Sequence, residues 1–175
     1  MGAGKSTIGR RLAQTLGLSF HDSDTEIEQR TGASIALIFD IEGEAGFRRR
    51  EHELLKELTR LPGVVLATGG GAVLDPDNRA MLATRGRIIY LRASVDQQLQ
   101  RTARDRKRPL LQTPDPRARL EQLMAARGPL YQEIANLIVD TDGHTAQAVV
   151  DDIVRHLRAH PKRLGAKTPR RKDAG

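Results

Sequence analysis

Gly2-Ala3-Gly4-Lys5-Ser6-Thr7 opens the chain, and Ile8, Leu12 and Leu16 follow at helical spacing up to Gly17. This is the second half of the pattern G-x-x-x-x-G-K-[ST] at the head of an amphipathic helix. Glycines let backbone N–H groups turn inward around phosphate oxygens. The helix behind them points its positive end at the anion. In such a loop the lysine, here Lys5, bridges the outer phosphates, and the hydroxyl, here Ser6, ligates Mg²⁺. The alternative is a flexible terminus with chance glycines, which leaves the helix directly behind it unexplained. Met1-Gly2 with Ser6 also matches a myristoylation pattern, and the phosphate-loop reading absorbs it.

The first glycine of the pattern, and the strand that precedes it in P-loop folds, do not stand ahead of these residues. That strand is buried on both faces in the middle of the sheet. About five buried apolar residues at roughly 1.5–3 kcal/mol each amount to ~7–15 kcal/mol. A whole domain has a net stability of only about 5–15 kcal/mol. A misassigned start is therefore the expectation, with an inactive fragment as one alternative for the chain as written.

Beyond the loop, amphipathic segments alternate with short apolar runs, which is the pattern of an α/β fold with a parallel sheet. Strands are expected over 18–21, 64–67, 88–91 and 137–140, and helices over 5–16, 25–30, 34–39, 44–61, 77–84, 95–103, 119–126, 129–135 and 145–159. Residues 104–117 carry Arg104, Arg106, Lys107 and Arg108, then three prolines, with no sustained period. They read as a loop over a site.

The first acidic candidates are Asp22 and Asp24, at i and i+2 behind a strand. They point the same way if the extended geometry continues, at the strand end where open α/β sheets bind ligands. A solvated turn or a helix N-cap pair is the alternative, and the residues alone favour it. Arg48 opens a run of three arginines that reads as a solvated helix face, and Glu51 as a surface salt-bridge partner. Gly69-Gly70-Gly71 after an apolar strand fits a close approach of backbone to ligand or a bare tight turn.

Together these stretches resemble the shikimate kinase family. The motifs are Gly2–Thr7, Asp22-Ser23-Asp24, Gly46-Phe47-Arg48, Ala67–Gly71, Arg108-Pro109-Leu110-Leu111 and Arg127-Gly128-Pro129-Leu130-Tyr131, in the family's order and spacing. The resemblance implies a three-layer P-loop kinase fold of the nucleoside monophosphate kinase type, with a central parallel sheet whose first strand is missing here. It implies one domain over 1–160, a lid at about 104–117, and a tail over 161–175. ATP, Mg²⁺ and shikimate are the implied ligands, and the pathway to chorismate and aromatic amino acids is the implied setting.

By resemblance, Gly2, Ala3, Gly4, Lys5, Ser6 and Thr7 hold the nucleotide, and Ser6 and Asp22 hold Mg²⁺. Asp24 contacts the substrate hydroxyls and is the candidate base. Arg48 and Arg127 clamp the substrate carboxylate, which suits the planar fork of arginine. Glu51 orients the substrate or the clamp, and Gly69, Gly70 and Gly71 line it. Arg108 in the lid reaches the transferring phosphate. Arg101 stacks on adenine or is a plain surface charge, with the two readings even.

The net charge is +7, but residues 161–175 hold six basic residues and one acid, so the body is close to neutral. The basic character belongs to an appendage whose composition predicts disorder. A non-catalytic tail contacting nucleic acid is one competing function; two tyrosines and three phenylalanines argue against a base-stacking surface. Another small-molecule kinase, for gluconate for instance, is the other competitor, and it has no use for the arginine pair. No apolar run approaches the roughly 18 residues of a membrane span. The absence of cysteine fits a reducing, cytoplasmic setting. A monomer is expected.

Overall fold

In the computed structural model the described residues are 2–102 and 113–161. Their elements run α1 Lys5–Leu16, β1 Ser19–Asp22, α2 Ser23–Thr31, α3 Ile35–Leu58 and β2 Val64–Ala67. A short 3-10 turn at Ala72–Leu74 leads to α4 Pro76–Arg85, β3 Ile89–Arg92, α5 Val95–Thr102, α6 Pro116–Ile134, β4 Leu137–Asp140 and α7 Ala146–Ala159.

Helix α1 is bracketed by Gly4 and Gly17, both left-handed at φ 82° and 67°. Its buried stripe Ile8, Leu12 packs against Val149, Val150, Ile153 and Val154 of α7. Half-buried Val65, Ile89, Leu91, Leu137 and Val139 close this cluster from the strands. A second cluster joins Ile27 of α2 to Ile38, Phe47, Leu54 and Leu58 of α3, with Leu66 against it. Val65 and Leu66 are neighbours in β2 and serve opposite clusters, as strand alternation requires. Helices therefore cover both faces, giving three layers.

The strands pair in parallel, β1 with β2 and β3 with β4, with Ser19 opposite Val64 and Ile89 opposite Leu137. The expected central sheet is thus two separate pairs among the described residues. Between them lies an apolar cavity of about 730 Å³, lined by β2 and β3 but by neither β1 nor β4. The inner strands face each other across it, and Val64–Leu66 and Ile89–Leu91 are left only partly buried.

The two helices expected over 34–39 and 44–61 meet within α3 at Gly43, where φ 69° and ψ 179° leave the helical region and part them. Two local expectations are corrected. The segments expected over 119–126 and 129–135 form one helix, with Pro129 inside it. Proline lacks the N–H donor, but neighbouring packing carries the helix through, and Arg127, Gly128 and Ile134 on it are buried. Asp24 does not continue the strand: Asp22 ends β1 and Asp24 lies in the first turn of α2. Asp22 causes this turn, since its carboxylate accepts from the N–H groups of Asp24 and Thr25.

Candidate active site

The phosphate loop is cut to receive an anion. Gly2 and Gly4 both take positive φ, and Ala3 between them is buried. Gly4 caps α1 without any side-chain acceptor, and no acid stands in the first turn. The positive end of the helix faces the loop with no side-chain cap in its way, which suits an anion. Lys5 starts the helix and lines the cavity with Ala3, Gly69, Gly70 and Tyr131. Thr7 is exposed in the same turn.

The Ser6 hydroxyl donates to Asp22 Oδ2 at 2.6 Å. Asp22 Oδ1 accepts from Asp24 N–H at 3.1 Å and Thr25 N–H at 3.4 Å. Two hard oxygens beside a phosphate cradle fit Mg²⁺, which keeps most of its water and takes few protein ligands. The donor set is therefore adequate to the ion.

Across the loop, Arg48 and Glu51 form the most buried ion pair of the site. Arg48 Nη1 lies 2.6 Å from Glu51 Oε2, with Glu51 fully buried and Arg48 20% exposed. Arg48 also donates to Glu44 Oε1 at 2.9 Å. Burial pushes the Glu51 carboxyl up, Arg48 opposes this, and Asp24 adds to it. For Arg48, burial works against the charge, but the two glutamates outweigh it and hold the guanidinium up. Glu51 Oε1 is buried with no hydrogen-bond partner among the described residues. The surface-salt-bridge reading of Glu51 is thereby overturned: a solvated pair would leave no oxygen dry.

The glycine turn binds these pieces together. Gly69 N–H donates to the buried Ser23 hydroxyl at 2.9 Å. A methyl group on Gly69 would meet Glu51 Oε1 and, at 3.0 Å, Asp24 Oδ1. One on Gly70 would lie 3.2 Å from Tyr131 Oη and 3.6 Å from Arg127 Nη1. One on Gly71 would overlap the Arg48 guanidinium. None of the three needs positive φ; close approach is what demands glycine here. Arg127 is 6% exposed. Arg48 and Arg127 thus flank one turn of chain.

Arg101 donates to Gly2 O at 3.2 Å, Thr141 Oγ1 at 3.0 Å and Thr141 O at 2.9 Å. It ties the phosphate loop to the end of β4, which the surface-charge reading does not account for. Arg108 and most of the lid over 104–117 lie outside the described residues, as do residues 162–175 of the tail. Within the lid range, Pro116 already begins α6, and Arg117 pairs with Asp96.

Sequence reasoning assigned nothing to Ser23, Tyr131 or His52. His52 Nδ1 lies 2.9 Å from Asn78 Oδ1, and Asn78 donates to Ala72 O at 3.2 Å, holding the turn behind Gly71. Ser23 and Tyr131 sit inside quoted motifs, which was the only signal available.

A family model described as shikimate kinase matches residues 1–158. A shikimate kinase of Thioalkalivibrio sulfidiphilus is 60% identical over 162 residues, 93% of this chain and 85% of that protein. One from Shewanella amazonensis is 57% identical over 157 residues, 90% and 92% of the two chains. The structure of a shikimate kinase from Acinetobacter baumannii in complex with shikimate matches with TM-score 0.89 at 48% identity, covering 91% of this chain and 89% of that one. A shikimate kinase structure from Bacteroides thetaiotaomicron matches with TM-score 0.83 at 31% identity, covering 90% and 94%.

Proposed function

This chain belongs to the shikimate kinase family, and from that premise we propose that its site transfers the γ-phosphoryl group of ATP to the 3-hydroxyl of shikimate. The observation that carries the residue assignments is the glycine turn, with Arg48 packed on Gly71 and Arg127 on Gly70. Two guanidinium groups on one turn form a receptor for a carboxylate. Asp24 lies against Gly69 beside Glu51, in the same turn that carries the two arginines, within reach of the ring hydroxyls of a carboxylate-anchored substrate.

Gly2, Ala3, Gly4 and the first turn of α1, with Thr7, seat the phosphates, and Lys5 neutralises the outer ones. Ser6 and Asp22 hold Mg²⁺, which supplies charge stabilisation on the phosphate oxygens when bound. The substrate 3-oxygen attacks the γ-phosphorus, its proton passes to Asp24, and the bond to the β–γ bridging oxygen breaks to release ADP. Arg108 is assigned to the transferring phosphoryl group, and Arg101 to holding the loop beside the nucleotide base. Such transfers rest on positioning and charge neutralisation. Glu51 fixes the fork of Arg48.

One copy carries every group given a role, so a monomer suffices, and the reaction belongs where ATP is made available, in the cytoplasm. Among the described residues no helix is long and apolar enough to cross a membrane. The test is ADP release by the chain with shikimate, gluconate or no acceptor, beside a Lys5→Met variant. Release with shikimate alone, lost in Lys5→Met, is expected. Turnover that survives Lys5→Met, or that gluconate supports equally, overturns the assignment.

A further inference from the structure

Tyr131 stands one helical turn after Arg127 on α6 and reaches into the same glycine turn. Its hydroxyl donates to the Gly70 carbonyl at 2.5 Å. Its ring lies 5.0 Å from that of Tyr90 on β3, tilted by 34°, so the phenol is braced against a strand. No peptide here is cis. A trans peptide directs its C=O and N–H oppositely, so the bond that holds the Gly70 carbonyl also aims the Gly71 N–H away from Tyr131. Neither Gly70 nor Gly71 donates a backbone hydrogen bond among the described residues. The Gly71 N–H lies beside Arg48, with Arg127 across the turn, and has no backbone acceptor among the described residues, so an anion is what would complete it.

We propose that Tyr131 is a positioning residue for carboxylate recognition: its hydroxyl pins the Gly70–Gly71 peptide so that the Gly71 N–H and the two guanidinium groups converge on one anion. This rests on the reading of Arg48 and Arg127 as the carboxylate clamp. The bond does two things at once. It fixes the peptide plane, and it keeps the Tyr131 oxygen, and with it the α6 turn bearing Arg127, against Gly70. Tyr131 touches no reacting atom in this account; its effect passes through the peptide and through Arg127. Burial pushes the phenol up against the pull of Arg127, so the hydroxyl keeps its proton and stays a donor at neutral pH.

The experiment compares steady-state kinetics of wild type, Tyr131→Phe, Arg127→Lys and the double variant, varying shikimate and MgATP in turn. Phenylalanine keeps the ring against Tyr90 and removes only the hydroxyl. Each enzyme is also assayed with the methyl ester of shikimate, which lacks the anion. In Tyr131→Phe, kcat/KM for shikimate should fall about tenfold, with KM for MgATP within about twofold of wild type. The preference for shikimate over its ester should fall in parallel. In the Arg127→Lys background the same change should cost less than about threefold, because coupled residues are not additive. An unchanged shikimate KM in Tyr131→Phe, an equal change for MgATP, or full additivity overturns the proposal. If Arg127→Lys itself leaves shikimate KM unchanged, the clamp reading fails instead, and the two failures are distinct.

Discussion

Gly71→Ala tests the construction of the site more sharply than any change to a charged residue, because it adds one methyl group and removes no functional atom. That methyl group would occupy the position of the Arg48 guanidinium. The far end of an arginine swings aside at little cost in itself. What it leaves behind is the fully buried Glu51, whose one hydrogen-bond partner among the described residues is Arg48 at 2.6 Å. A hydrogen bond to a charged group contributes about 1.5–3 kcal/mol. If Arg48 holds the substrate carboxylate as proposed, the same displacement takes one fork off it, and at 1.4 kcal/mol per factor of ten this predicts a loss of about 10- to 150-fold in kcat/KM for shikimate. KM for MgATP should stay put, since Arg48 bonds to Glu44 and Glu51 and, among the described residues, makes no hydrogen bond or ion pair to the phosphate loop. Leaving Glu51 unpaired should lower the melting temperature by about 2–10 °C, tempered because the carboxyl can take up a proton. Initial rates of ADP release and a thermal melt read both effects. A variant that keeps wild-type shikimate KM would refute the packing of Arg48 on Gly71 as the source of its placement.

Three further outcomes are expected. Glu51 has its carboxyl raised by burial, so the folded state binds its proton over the window from the ordinary carboxylate range up to that raised value. Folding takes up a proton there, and stability falls as pH rises through the window. The stability advantage of wild type over Glu51→Gln should therefore shrink as pH rises above the ordinary carboxylate range, read by urea midpoints; a constant difference contradicts it. Gly128 lies buried within α6 with open space where a Cβ would go, so Gly128→Ala should stabilise the protein by about 0.5–1 kcal/mol, leaving shikimate KM unaltered; a destabilised variant would show that the space is not open. Joining an apolar strand of about five residues ahead of Gly2 should fill the cavity between β2 and β3. Burial worth roughly 7–15 kcal/mol less an ordering cost of about 5–10 leaves a few kcal/mol, or a melting rise of about 5–15 °C over a Gly/Ser segment of equal length. Equal melting of the two fusions would argue against a strand-shaped slot.

The sequence by itself determined what local rules govern. Helix α1 between two left-handed glycines, β2 and β4 as apolar runs, and the phosphate loop at the head of α1 all follow from capping, periodicity and backbone sterics within a few residues. The motif order also singled out Arg48 and Arg127, because spacing along a chain is itself sequence information. What only the tertiary structure decided is which surfaces became interior. Glu51 reads as a solvated helix acid until α2 and the glycine turn close over it. Asp22 and Asp24 could face one way along a continued strand or cap a helix, and the Asp22 carboxylate settles it by capping α2. Tyr131 reads as one more residue of a motif until α6 lays its hydroxyl on Gly70. Burial depends on partners distant in the chain, and a charge changes its chemistry only when water is taken away from it.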